Sequence, residues 1–99
     1  MVLKQGVKIT NLKPQLIIAI IVANDVYNLH KQELVITSCD DSKHGIGTLH
    51  GQGYAFDCRT SYFTNGEAQR VANEIRAKID DAFDVVYEGD HIHIEYDPK

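Results

Sequence analysis

The chain has 99 residues, of which 43% are hydrophobic, and a net charge of −4. That length allows a single domain, residues 1–99, with a modest core, and that hydrophobic share excludes an intrinsically disordered chain. No basic stripe is present to follow a nucleic-acid backbone, and no polybasic cluster is present to hold an anionic membrane.

Residues 1–13 read as a short extended arm. Pro14 suits the first turn of a helix, and Leu16, Ile17, Ile20, Ile21, Ala23 and Tyr27 give that helix a broad apolar face as far as about His30. The longest apolar run, residues 16–23, is too short to span a bilayer, which takes about 20 residues, and it has no convincing cleavage site. The expectation is a protein made in the cytoplasm, without a signal or transmembrane segment. Residues 33–39 read as a strand centred on the β-branched pair Val35 and Ile36. Residues 40–52, rich in Gly, Ser and Asp, read as a loop, and residues 53–59 as a second strand. Thr64-Asn65-Gly66-Glu67 has the form of a capping box, in which Thr64 caps and Glu67 reaches back. Ala68, Val71, Ala72, Ile75 and Ile79 then mark one face of a second helix. Residues 83–87 and 91–96 predict two strands joined by a tight turn at Glu88-Gly89-Asp90. The order predicts an α+β domain with two main helices and a small antiparallel sheet. Cys39 and Cys58 read as two small buried hydrophobes, with a disulfide between neighbouring strands left open.

The polar residues of the later strands suggest chemistry. Period two puts Gly53, Ala55, Asp57 and Arg59 on one face, where glycine and alanine leave room beside a carboxylate. The same period puts His91, His93 and Glu95 on one face of the last strand and Ile92, Ile94 and Tyr96 on the other. His50, just before the second strand, can fold back over it. Two imidazoles and a carboxylate suit an open zinc site, in which three protein ligands leave a position for water. Asp90, at the turn before His93, is placed to move a proton. Taken singly, each of these residues has a plainer reading: a surface histidine, a salt-bridge aspartate, a polar turn residue.

Thr48-Leu49-His50-Gly51-Gln52-Gly53-Tyr54-Ala55-Phe56-Asp57 resembles the motif Ser-x-His-x-x-Gly-x-Ala-x-Asp of the zinc D-alanyl-D-alanine carboxypeptidases. That group includes D-alanyl-D-alanine dipeptidases and phage L-alanyl-D-glutamate endolysins, and shares its fold with the hedgehog signalling domain. Asp90-His91-Ile92-His93 resembles the group's second motif. The resemblance covers roughly residues 33–97. It implies a hedgehog/DD-peptidase-like fold and a zinc peptidase acting on peptidoglycan peptide, with His50, Asp57 and His93 as zinc ligands and Asp90 as acid/base. It further implies that His91 lines the site and stabilises the oxyanion or holds substrate. Glu88 with His91 is the competing assignment for acid and ligand. The Arg that many members carry upstream is absent from residues 37–44, which leaves Lys43, His44 or Arg59 to bind substrate. The expected partner is the wall peptide alone, met by a monomer after phage lysis or as part of a virion. The alternative is a non-catalytic zinc-binding phage module.

Overall fold

The computed structural model describes residues 1–7, 12–39 and 54–98. In chain order the elements are β1 (Val2–Leu3), α1 (Pro14–Leu29), β2 (Val35–Ser38), β3 (Ala55–Arg59), α2 (Glu67–Lys78), β4 (Phe83–Tyr87) and β5 (His91–Tyr96). The domain is α+β, with a five-stranded sheet in the order β1-β2-β3-β5-β4. All neighbours are antiparallel except β1 and β2, which run parallel, so the sheet is mixed. The strand β1 lies in the segment that reads as a short extended arm. Its backbone is held by Val2 N–H to Leu34 O at 2.8 Å and Lys4 N–H to Ile36 O at 2.9 Å. Two residues are too short for an alternating pattern to register, so the sequence alone does not betray it.

Alternation in the strands explains the layers. Ile36, Phe56, Cys58, Val85, Ile92 and Ile94 point to one face and form a single core with the inner sides of α1 and α2. From α1 the core takes Leu16, Ala19, Ile20, Ala23, Val26 and Tyr27. Ile17 and Ile21, expected on the buried face, point outward instead: they are 49% and 56% exposed. The helix is apolar around most of its circumference, and the positions facing the sheet are set by packing rather than by its pattern. Pro14 occupies the first turn as expected. At the other end, Gln32 N–H reaches Tyr27 O and Lys31 N–H reaches Asn28 O, both at 3.0 Å, a Schellman closure. Lys31 takes the left-handed conformation, φ 61°, that glycine usually fills in such a stop.

The start of α2 corrects the capping-box expectation. Asn65 and Gly66 are both left-handed, with φ 49° and 80°, and Gly66 is the N-cap. Thr64 is thereby displaced out of the capping position; its backbone oxygen accepts from Glu67 N–H at 2.9 Å. Glu67 falls in the first position of the helix, where its carboxylate turns towards α1 rather than back on the turn. Its partner there is His30, with Nδ1 to Oε2 at 2.9 Å, and the other nitrogen of His30 meets Glu74. One imidazole at the end of α1 is thus clamped between two carboxylates of α2.

Cys39 and Cys58 are both buried and do not form a disulfide with each other. Burial, together with the charge of Asp57, pushes the Cys58 thiol well up, so it behaves as a small core group. Among the described residues, no helix is long and apolar enough to cross a membrane.

Candidate functional site

The antiparallel pairing of β3 with β5 sets Asp57 directly opposite His93, and Arg59 opposite His91. Because Phe56, Cys58, Ile92 and Ile94 are fully buried on the helix side, Asp57, Arg59, His91, His93 and Glu95 are carried to the other face of the sheet. Ala55 shares that face by period and is fully buried, whereas Gly53, expected beside it, lies outside the described residues.

His93 is the centre of the arrangement. Its Nδ1 lies 2.8 Å from Asp57 Oδ1 and its Nε2 lies 2.7 Å from Glu95 Oε1. A neutral imidazole has one donor and one acceptor nitrogen, whereas both nitrogens here face carboxylate oxygens, so the ring is held as the imidazolium. The hydrogen bond to Asp57 is the main cause that pushes its pKa up to about 9; burial opposes it and Glu95 adds to it. His91 is bound in the same manner at the rim, with Nδ1 2.5 Å from Asp90 Oδ1 and Nε2 3.1 Å from Glu88 Oε1. Burial works to lower the His91 pKa, but Asp90, Asp57 and Glu88 together raise it. Asp57 Oδ1 also stands 3.8 Å from His91 Nε2, so one carboxylate oxygen lies within reach of both rings.

Of the residues singled out in the sequence, the structure brings Asp57, His91 and His93 together and sets Arg59 beside them. Asp90 sits at the turn with its side chain 87% exposed, joined to His91. Glu88, the competing acid, contacts the same imidazole from the other nitrogen. His50, Lys43 and His44 lie outside the described residues. Alternation puts Glu95 on the same face as His93, and the spacing His93-x-Glu95 along one strand is the signal for its contact with the ring. Nothing in the sequence marked His30, because its partners come from a helix 37 and 44 residues further on.

A second group adjoins the first. Oxygens of Asp84, Glu95 and Asp97 all lie within 4.8 Å of one another, compact enough to hold a metal ion. Asp84 and Glu95 are opposed in the pairing of β4 with β5, which explains their approach. An all-carboxylate set suits hard cations better than zinc. Glu95 therefore belongs both to this acidic group and to His93.

No family model, no curated protein and no solved structure matches the chain.

Proposed function

We propose that the domain is a zinc-dependent peptidase of hedgehog/DD-peptidase type that cuts a D-Ala-D-Ala or L-Ala-D-Glu bond in the stem peptide of bacterial peptidoglycan. The motif residues carry the family resemblance. The observation that supports it best is the setting of His93, with Glu95 at Nε2 and Asp57 Oδ1 facing Nδ1. Histidines that ligate metal generally donate their other ring N–H to a carboxylate or carbonyl, which fixes the tautomer. Glu95 stands in that relation to His93.

By type, two imidazoles and a carboxylate suit zinc. With Zn–N and Zn–O bonds of about 2.0–2.2 Å, tetrahedral donors stand roughly 3.3 Å apart. The Asp57–His93 pair, at 2.8 Å, need open only by about half an ångström once the shared proton leaves. Asp57 and His93 would hold the ion together with His50. When bound, zinc supplies Lewis acidity towards a peptide carbonyl and makes water a nucleophile near neutral pH. Asp90 accepts a proton from the attacking water and returns it to the leaving amine, the exchange a carboxylate at the rim performs without buried charge. His91, anchored through Nδ1 by Asp90, would exchange its longer Nε2 contact with Glu88, at 3.1 Å, for the carbonyl oxygen as negative charge develops. Arg59, with Lys43 or His44, pairs with a carboxylate of the acidic stem peptide.

Mass spectrometry of muropeptides incubated with zinc-loaded protein tests this and names the bond. New peptide fragments from wild type, and none from Asp90→Asn, are expected. A second reading, a non-catalytic zinc module, is favoured by the 87% exposure of the Asp90 side chain, which is high for an acid/base. Zinc retention without any fragment would select it.

A further inference from the structure

The outer side of α1 is unusually apolar. Ile17, Ile18 and Ile21 are 49%, 60% and 56% exposed, and the only charge within the helix is Asp25. Beside this ridge runs a groove of about 320 Å³ lined by Ile18, Val22, Ile79, Phe83 and Tyr96. A helix apolar around most of its circumference is characteristic of one covered on more than one side. We infer that the Ile17 and Ile21 ridge of α1, with the groove beside it, is the dyad surface of a homodimer in which two α1 helices pack antiparallel.

Two relationships make a second copy the occupant. First, ridge and groove lie side by side on the same helix: Ile17 and Ile21 form the ridge, while Ile18 and Val22, one position on, line the groove. A two-fold axis between them seats each ridge in the other copy's groove, as an isologous interface requires. Second, the charges are self-complementary. Lys13 caps one end of α1 and Asp25 lies near the other, and the midpoint of that span falls at position 19, among the three isoleucines. An antiparallel copy centred there brings Lys13 of each chain to Asp25 of the other. Lys13 borders the groove: its Nζ stands 5.6 Å from the ring of Tyr54, which stacks on Tyr96 at 6.0 Å. Within one chain the two residues are twelve positions apart, about 18 Å along a helix, and do not pair. A lipid surface fits less well, because Asp80 lines the groove against the single lysine Lys78 and the chain as a whole is acidic.

The helix is sixteen residues long. At 1.5 Å per residue its face and groove offer on the order of 500 Å² per copy, near the lower bound for a specific interface, so micromolar association is expected. Sedimentation velocity from about 1 to 200 µM tests it, with circular dichroism to confirm folding. Wild type should pass from monomer to dimer, and Ile18→Glu and Ile21→Glu should stay monomeric with unchanged spectra. Lys13→Glu and Asp25→Lys should each weaken association about five- to tenfold, and the double variant Lys13→Glu/Asp25→Lys should restore it. Restoration has no intrachain source, because the two residues are too far apart in one copy. A monomeric wild type at 200 µM overturns the inference. So does a wild-type dimer that the glutamate variants leave intact, or a dimer in which the charge variants have no effect. Flotation with phosphatidylcholine vesicles by a monomeric wild type would reassign the face to lipid and equally overturn it.

Discussion

His93 and Asp57 meet across β3 and β5 with Nδ1 and Oδ1 2.8 Å apart, each half-buried, and the far side of the same ring is closed by Glu95. Without metal this is a charged pair with a third partner. Under the proposed function the same two atoms would be ligands, and the proton between them would have to leave. Zinc and proton would then compete at one nitrogen, over a range that extends well above the ordinary histidine one.

The pH dependence follows from that competition. In metal-free protein, His93 should titrate near 9 by NMR, and Asp57→Asn should bring it back towards the usual value, since the Asp57 hydrogen bond is the main cause of the rise. Zinc affinity should increase about tenfold per pH unit between roughly 6.5 and 9, as one proton is displaced per ion bound. An affinity that levels off at pH 7 would show that His93 is not a ligand. For the stability of the metal-free protein the sign is opposite. A folded-state pKa raised above the unfolded value stabilises fully below about 6.5 and loses that contribution as pH rises through about 9.

The assignment of ligand and acid within 88–93 is settled by substitution. His93→Ala should abolish zinc binding, whereas His91→Ala should retain the ion and reduce turnover about 10²- to 10³-fold, the usual cost of one oxyanion donor. Isothermal titration with zinc and single-turnover assays on a muropeptide separate the two effects. The reverse pattern, zinc lost with His91 and kept with His93, would transfer the ligand role to His91 and the acid role to Glu88, whose Oε1 is 3.1 Å from the His91 ring.

Much of this site was legible in the sequence because strand period is a strong signal. The alternation His91-Ile92-His93-Ile94-Glu95 assigns two faces, and the buried isoleucines take the helix side. The same holds for Phe56-Asp57-Cys58. What period does not supply is register. The opposition of Asp57 to His93 rather than to His91 comes from the pairing of β3 with β5. Helix faces were less legible. In α1 nearly every position is apolar, so periodicity gives no phase, and Ile17 and Ile21 were assigned inward when they face out. The helix α2, with a sharp apolar stripe, buries Ala68, Val71, Ala72 and Ile75 as its pattern indicates. The capping box failed through turn chemistry, because two successive left-handed residues shift the helix start to Gly66.

Tyr27 links the core to the site strand. Its hydroxyl donates to Arg59 O at 2.8 Å, and burial raises its pKa far above the usual phenol value. Tyr27→Phe keeps the ring against Tyr62 and Phe63 but leaves the Arg59 carbonyl without this donor. A loss of about 1–2 kcal/mol in urea unfolding is expected, with little change in the slope. Tyr27→Ala also empties a fully buried position and should cost about 3–5 kcal/mol.

The clamp of His30 between Glu67 and Glu74 gives a separate pH dependence, on a different pair of elements from Asp57 and His93. The Glu67 hydrogen bond is the main cause that raises the His30 pKa; burial opposes it and Glu74 reinforces it. A raised folded-state pKa means that the contribution is complete below the unfolded value of about 6.5 and disappears as pH climbs through the higher folded value. Wild type should therefore exceed His30→Gln in urea midpoint at pH 5.5, and the difference should narrow as pH is raised to 9. Glutamine occupies similar space and donates one hydrogen bond without charge, so the variant isolates the imidazolium. A midpoint difference that is the same at both pH values would mean that His30 joins α1 to α2 by packing alone, with its charge contributing nothing.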